Sequence, residues 1–212
     1  NRKAERILNL GAGKDVPLEC PSLSAVSFLI CADGGASLAR RWNLRPDLLL
    51  GDQDSLCGPD FDYWQDRNVP FQRYPAEKDQ TDLELAVNYA LKSNPEEIVL
   101  VGAWGDRPDH SLGNLALLYS LAQKGVKNQL LTAKNRLSAF EGEFSSTVKV
   151  NSTISLLPLS AKVQDVYTQG LFYSLSGSTL MKGSTLGISN RAVEERVAVR
   201  CGQGVLLIVL EQ

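Results

Sequence analysis

Leu48-Leu49-Leu50-Gly51-Asp52-Gln53-Asp54-Ser55 is the stretch on which the fold turns. Its three leucines show no polar alternation, so neither side of the segment is expected to face water. Unbroken apolar runs suit strands of a parallel sheet, where helices cover both faces. The run stops at a glycine, and two carboxylates follow. Residues two apart on an extended segment point the same way, so Asp52 and Asp54 share a face. Four other runs read alike: Ile7–Leu10 before Gly11, Val26–Cys31 before Asp33-Gly34-Gly35, Ile98–Val101 before Gly102, and Gln129–Leu131.

Helices are expected between these runs. Leu83, Ala86, Val87, Ala90 and Leu91 fall on one face of a helix over Thr81–Lys92. Leu112, Leu115, Ala116, Tyr119 and Ala122 do the same over Asp109–Gln123. Thr81-Asp82-Leu83-Glu84 has the form of a capping box and marks a helix start. After about Leu137 the helical spacing ends. Short apolar stretches at Thr147–Val150, Ile154–Leu157, Val163–Tyr167, Leu171–Leu175, Arg196–Arg200 and Val205–Leu210 are separated by Ser, Gly, Asn and Pro. That rhythm predicts antiparallel strands. The expected architecture is α/β: an N-terminal, mostly parallel, Rossmann-like catalytic domain over 1–136, then a C-terminal antiparallel β-sandwich over 137–212.

Composition narrows the function. The 212 residues carry a formal net charge of −2 and a single histidine, His110. A near-neutral chain is a poor match for a dedicated nucleic-acid or acidic-membrane binder. One histidine excludes multi-histidine zinc sites. Cys20, Cys31, Cys57 and Cys201 form no Cys-x-x-Cys pair, and they read as reduced thiols. No window approaches a membrane span of about 20 apolar residues. Asn1–Arg6 lacks the order of a signal peptide. A soluble cytoplasmic protein is expected.

Polar chemistry therefore falls to carboxylates. In open α/β sheets ligands bind beyond the carboxyl ends of the strands. Those ends carry Asp33, then Asp52 and Asp54, then the segment holding Asp106 and Asp109; Asp79 and Asp82 precede the capped helix. Gathered at one sheet edge, these acids would repel one another. Magnesium, which takes oxygen ligands and bridges a few carboxylates to phosphates, resolves the repulsion. Gly34, Gly35, Gly51, Gly102 and Gly105 let backbone approach a ligand. Lys78 and Arg107 can offset phosphate charge. Gly11-Ala12-Gly13-Lys14 lacks the spacing of a P-loop and reads as a simple turn. The residues alone leave open a magnesium-dependent phosphatase or nucleotidyltransferase, or a binding protein without turnover.

Five segments together resemble the thiamine pyrophosphokinase (thiamin diphosphokinase) family. They are Ala32–Ala36, Pro46–Ser55, Lys78–Glu84, Gly102–His110 with Asn114, and Gly183–Asn190 with Gly170-Leu171 upstream. The resemblance implies transfer of diphosphate from ATP to the hydroxyl of thiamine, giving thiamine diphosphate and AMP. It implies a homodimer with the thiamine site at the subunit interface. By position, Asp52, Asp54, Asp79, Asp82 and Asp109 match the acidic cluster that binds Mg2+ and the triphosphate. Asp33, Gly34 and Gly35 match nucleotide-side residues, with Gly51, Lys78, Asp79 and His110 beside them. Arg107 matches a phosphate-contacting arginine. Ser189 and Asn190 match the thiamine contacts. Asp52 or Asp82 could accept the alcohol proton. The chain differs from the family pattern at Gln53, at Pro108 and at Arg191-Ala192, where some members place an aromatic residue after the Ser-Asn pair. Trp42 and Trp104 are the aromatic residues to test as stacking partners.

Overall fold

The computed structural model describes residues 6–22, 25–52, 58–75, 77 and 79–212. The chain divides into two compact units. The first comprises 1–117 with 130–133, and the second 118–129 with 134–212.

The first unit alternates strand and helix. Its elements are β1 (Arg6–Leu10), β2 (Val26–Ala32), α1 (Gly35–Arg41), β3 (Leu48–Gly51), α2 (Pro59–Gln65), β4 (Phe71–Arg73), α3 (Asp82–Leu91), β5 (Glu97–Val101) and the first part of α4 (Pro108–Gln123); β6 (Lys127–Leu131) ends in it. The strand order is β6-β5-β1-β2-β3-β4, and β1 to β5 run parallel. Each apolar run read from the sequence is a strand, and the central ones are buried on both faces. On one face Leu8, Leu10, Leu29, Cys31, Leu49 and Val99 pack with Leu38 and Ala39 of α1 and Phe61 and Trp64 of α2. The alternate residues Ile7, Ile30, Leu50, Ile98 and Leu100 are also fully buried, and α3 packs on β1, β2 and β3 through its buried Leu83, Ala86, Val87 and Ala90.

Two local features set the helices. Thr81 caps α3 as predicted, its Oγ1 accepting from the Glu84 N–H, while the Glu84 carboxylate accepts from the Gln80 amide. Helix α4 starts one residue earlier than expected, with Pro108 at its first position, where a missing N–H costs nothing. The buried face of α4 is not the predicted one. Leu112 is 65% exposed, and the inward residues are Ser111, Asn114, Leu118, Leu121 and Ala122. The spacing is helical, but its first two members are polar, and their side chains bond the loop after β5. Helices α1 and α2 and strand β4 had no counterpart in the sequence reading.

The second unit holds β7 (Asn135–Phe140), β8 (Glu143–Thr147), β9 (Thr153–Pro158), β10 (Lys162–Gln169), β11 (Ser176–Met181), β12 (Asn190–Arg191), β13 (Arg196–Arg200) and β14 (Leu206–Glu211). Strands β12-β9-β14-β7 form one antiparallel layer and β11-β10-β13-β8 a second. Ile154, Leu156, Leu206 and Ile208 from the first layer share a core with Val163, Val166, Leu180, Val197 and Val199 from the second. This is the expected β-sandwich. Two strands sit elsewhere than predicted. Of the stretch expected over Thr147–Val150, residues 148–150 lie outside β8, which occupies Glu143–Thr147 instead. Leu171–Leu175 makes only an isolated bridge, Leu171 to Ala192, because Gly170 turns the chain out of β10 with φ 76°. Among the described residues no helix is long and apolar enough to cross a membrane.

Candidate active site

The strand order reverses at β1, which has β2 on one side and β5 on the other. In an open parallel sheet ligands bind at such a point, in the crevice outside the carboxyl ends of the strands. The residues following β1 and β5 form its walls. Gly11, Ala12 and Gly13 line a cleft with Gly102, Ala103, Trp104 and Gly105. The two loops are joined along their length: the Gly11 N–H donates to Val101 O at 2.8 Å, Gly13 to Gly102 O at 2.7 Å and Asp15 to Trp104 O at 3.1 Å. A side chain at Gly13 would stand 2.4 Å from Trp104 O and 2.7 Å from Gly102 O, so glycine is required for this approach. The turn read as incidental in the sequence is therefore half of the cleft wall.

Helix α4 braces the other half. Asn114 is buried, and its Nδ2 donates to Ala103 O at 2.7 Å; Ser111 Oγ accepts from the Gly105 N–H at 3.3 Å. Lys14 and Asp106 form an ion pair at 2.7 Å between the two loops.

The cleft gathers part of the predicted set. Asp33, Asp82, Arg107 and His110 line it. Asp33 follows β2 in the left-handed region, φ 48°, with its N–H donating to Leu50 O. Burial pushes its carboxyl pKa up, and the charges of Asp82 and then Asp52 push it further; the Gly34 N–H and His110 pull the other way. So carboxylates from two neighbouring loops act on Asp33, as expected of an edge that collects acids. Gly51 ends β3, and Gly34 and Gly35 lead into α1, with Gly35 packed against the Leu10 backbone.

Asp109 stands apart. It is exposed, and Arg107 donates to both of its carboxylate oxygens, which lowers its pKa to about 2. Asp79 is exposed in the bend before α3 and does not line the cleft. Asp54 and Lys78 lie outside the described residues. Among the described residues no three carboxylate, imidazole or thiol groups form a metal-holding cage. The donor set still fits magnesium, which is usually held by one or two carboxylates together with substrate phosphates. The carboxylates of Asp33 and Asp82 line the cleft and meet that requirement.

Trp104 lines the cleft, whereas Trp42 packs on the hydrophobic core with its Nε1 buried and without a hydrogen-bond partner. In the second unit Ser189 has φ 58° and donates its N–H to Ser155 Oγ. Asn190 is 5% exposed. Its Nδ2 donates to Tyr173 O at 2.8 Å, and its Oδ1 accepts from the N–H groups of Tyr173 at 3.0 Å and Arg191 at 2.8 Å.

A parallel sheet with a glycine-walled, carboxylate-bearing crevice at its switch point defines an α/β protein with a ligand cleft at its strand ends. Comparison with known proteins makes this particular. A family model described as the thiamin pyrophosphokinase catalytic domain matches residues 21–130, and the model of the vitamin B1 binding domain of the same family matches residues 143–206. The chain is 34% identical over 162 residues to a thiamine pyrophosphokinase of Bacillus subtilis (strain 168), covering 76% of each. It is 26% identical over 203 residues to thiamine pyrophosphokinase 1 of Arabidopsis thaliana, covering 84% of this chain and 75% of the relative. The crystal structure of thiamine pyrophosphokinase from Bacillus subtilis superposes with a TM-score of 0.89 at 27% identity, covering 98% of this chain and 99% of the other. That of thiamin pyrophosphokinase from Geobacillus thermodenitrificans gives 0.82 at 26% identity, covering 98% and 97%. The chain belongs to the thiamin pyrophosphokinase family and is an enzyme of that kind.

Proposed function

We propose that this chain is a thiamine diphosphokinase, which moves the terminal diphosphate of ATP to the hydroxyethyl oxygen of thiamine and releases AMP. The supporting observation is the coexistence of two features. Both family domains are matched in order on one chain, and the cleft acids Asp33 and Asp82, with the Gly102–Gly105 wall, lie in the first of them.

The bond changes are simple. The alcohol oxygen of thiamine bonds to the β-phosphorus, the bond from that phosphorus to the oxygen retained by AMP breaks, and the alcohol proton passes to a carboxylate. Asp52 or Asp82 is the acceptor. Little covalent chemistry is asked of the protein; positioning and charge compensation supply most of the rate. The walls formed by Gly11–Gly13 and Gly102–Gly105 seat the nucleotide, with Asp33, Gly34, Gly35, Gly51, Lys78 and His110 on the nucleotide side. Asp52, Asp54, Asp79, Asp82 and Asp109 are the residues assigned to hold magnesium. When bound, magnesium neutralises phosphate charge during the displacement. Arg107 meets the phosphate oxygens once its hold on Asp109 is exchanged.

We assign nucleotide chemistry to 1–136 and thiamine recognition to 137–212, with Ser189 and Asn190 in the thiamine region. We further assign a homodimer with the thiamine site at the subunit interface. Leu186, Ile188 and Val193, exposed large apolar residues of the second unit, favour such an assembly. A cytoplasmic location agrees with the described cysteines Cys20, Cys31 and Cys201, all free thiols. The test is an omission assay: AMP should form only when thiamine, ATP and magnesium are all present. AMP formation without thiamine would overturn the reading.

A further inference from the structure

The turn Gly11-Ala12-Gly13-Lys14 walls the cleft with its glycines, and its last residue is a lysine with no part in the assigned site. The backbone on either side of Lys14 is fixed. The Gly13 N–H donates to Gly102 O and the Asp15 N–H to Trp104 O, while the Asp15 carboxylate accepts from the Ala133 N–H at 2.8 Å, just beyond β6. A Cβ on Gly105 would stand 2.8 Å from the Lys14 nitrogen, so the two cleft loops touch at this residue. From that anchored position the Lys14 ammonium reaches across to Asp106, which lines the cleft, and donates to its Oδ2 at 2.7 Å. Both partners are open to solvent, with 79% and 60% of their side chains exposed. An exposed ion pair of this kind adds little stability, so exchanging it for a stronger partner costs little.

The charge balance of the cleft names that partner. Asp33, Asp82 and Asp106 line it, and among the described lining residues Arg107 is the only permanent cation, already held by Asp109. A nucleotide triphosphate entering such a cleft adds several negative charges, and cations within reach must offset them. Lysine suits the task, being a compact point charge on a flexible four-carbon stem. Resting on the ATP reading above, we propose that Lys14 is a polyphosphate-binding residue, whose ammonium leaves Asp106 and bonds the phosphate oxygens of ATP at the rim of the cleft. Asp106 is then a placeholder. It keeps the ammonium at the cleft while no nucleotide is bound, and it opposes phosphate by like charge. A pair that merely strapped the two loops together would behave differently, because each partner would then be worth as much as the other.

Calorimetric titration of the full chain with ATP and magnesium, thiamine absent, separates the two. Lys14→Ala should weaken ATP binding about fivefold to tenfold, and Lys14→Arg, which keeps the charge, should recover most of that loss. Asp106→Ala should act in the opposite direction and tighten ATP binding about twofold or more, because it frees the ammonium and removes a carboxylate from the path of the phosphates. Equal weakening in Lys14→Ala and Asp106→Ala, with no further loss in the double variant, would make the pair a strap and overturn the proposal. So would an ATP affinity in Lys14→Ala within about twofold of the wild type. The substitutions fall on exposed side chains, where folding is little affected. A wild-type chain that binds ATP but forms no thiamine-dependent AMP would defeat the diphosphokinase reading alone, since the Lys14 comparison needs no turnover. A wild-type chain that does not bind ATP would overturn both.

Discussion

Arg107 grips Asp109 through two hydrogen bonds, Nη2 to Oδ2 at 2.7 Å and Nε to Oδ1 at 3.1 Å. The residue assigned to phosphate and one assigned to magnesium thus neutralise each other before substrate arrives. Both are exposed, and the pair is open to exchange: phosphate for Asp109 on the arginine, metal for Arg107 on the carboxylate.

Removing Arg107 should therefore act on Asp109 before it acts on catalysis. The Asp109 carboxyl, now near 2, should move up toward the ordinary aspartate value of about 3.9 in Arg107→Ala. The sign follows from the depressed value. The favourable interaction is complete above the unfolded-state pKa and is lost as pH falls toward about 2. Carboxyl chemical shifts followed through a pH titration would check this. The same variant should lower kcat/KM for ATP about tenfold or more, the effect of losing a charge-assisted phosphate contact. An unmoved Asp109 titration would contradict the bidentate pair.

Asp33 works in the opposite direction. Its carboxyl pKa is raised by burial and by Asp82 and Asp52, so in the ligand-free protein the charge is a burden. An acid with a raised folded pKa makes stability fall as pH climbs through the interval from its unfolded to its folded value. Asp33→Asn removes the charge, and asparagine tolerates the left-handed backbone found there. The variant should melt about 2 °C higher than the wild type at neutral pH and show no such advantage near pH 3. Its turnover should fall about a hundredfold. Paired thermal melts and assays would read both effects, and a lower melting temperature at neutral pH would count against the charge-crowded cleft.

Two glycines should respond oppositely to the same change. A Cβ on Gly35 would lie 2.0 Å from Leu10 O, a backbone atom with no freedom to withdraw. Gly35→Ala should cost at least about 2 kcal/mol. Gly113, within α4, has nothing within 4 Å of its Cβ position, so Gly113→Ala should stabilise by about 0.5–1 kcal/mol. Urea unfolding of the two variants gives the comparison.

These contrasts show why the sequence was readable in some places and not in others. The runs at Ile7, Val26, Leu48 and Ile98 declared themselves because burial on both faces leaves no polar interruption. Helices α1 and α2 are seven residues each, too short to display a periodic stripe. The inner face of α4 was misread because Ser111 and Asn114 occupy it, serving the loop after β5 instead of the core. Leu171–Leu175 looks like a strand in composition, yet its aromatic pair faces outward under the control of Asn190, a contact 17 residues away. Asp33 could be placed at the sheet edge from its strand end, and Asp82 from the capped start of α3. Gly11–Gly13 could not, since its role depends on the strand order reversing at β1. Asp109 kept its segment but faces Arg107, a pairing invisible in spacing.

The second unit uses a buried asparagine clip twice, at Asn190 and Asn128, and the latter gives a stability prediction. Asn128 is 4% exposed; its Nδ2 donates to Ala139 O and its Oδ1 accepts from the Ala139 N–H, both at 2.8 Å. Asn128→Ala would strand two backbone groups of β7 without partners. A loss of about 2–4 kcal/mol is expected, since each buried unsatisfied group costs roughly 1–3 kcal/mol. Chemical denaturation measures it, and a loss below about 1 kcal/mol would mean that water replaces the amide.

The central claim concerns which phosphorus is attacked, and isotopic labelling answers it directly. ATP carrying 32P at the β-position is incubated with the full chain, thiamine and magnesium, and the products are separated. The account predicts that the label leaves the nucleotide completely and appears in thiamine diphosphate, with unlabelled AMP formed in equal amount. Label retained in ADP would mean attack at the γ-phosphorus and would contradict diphosphate transfer.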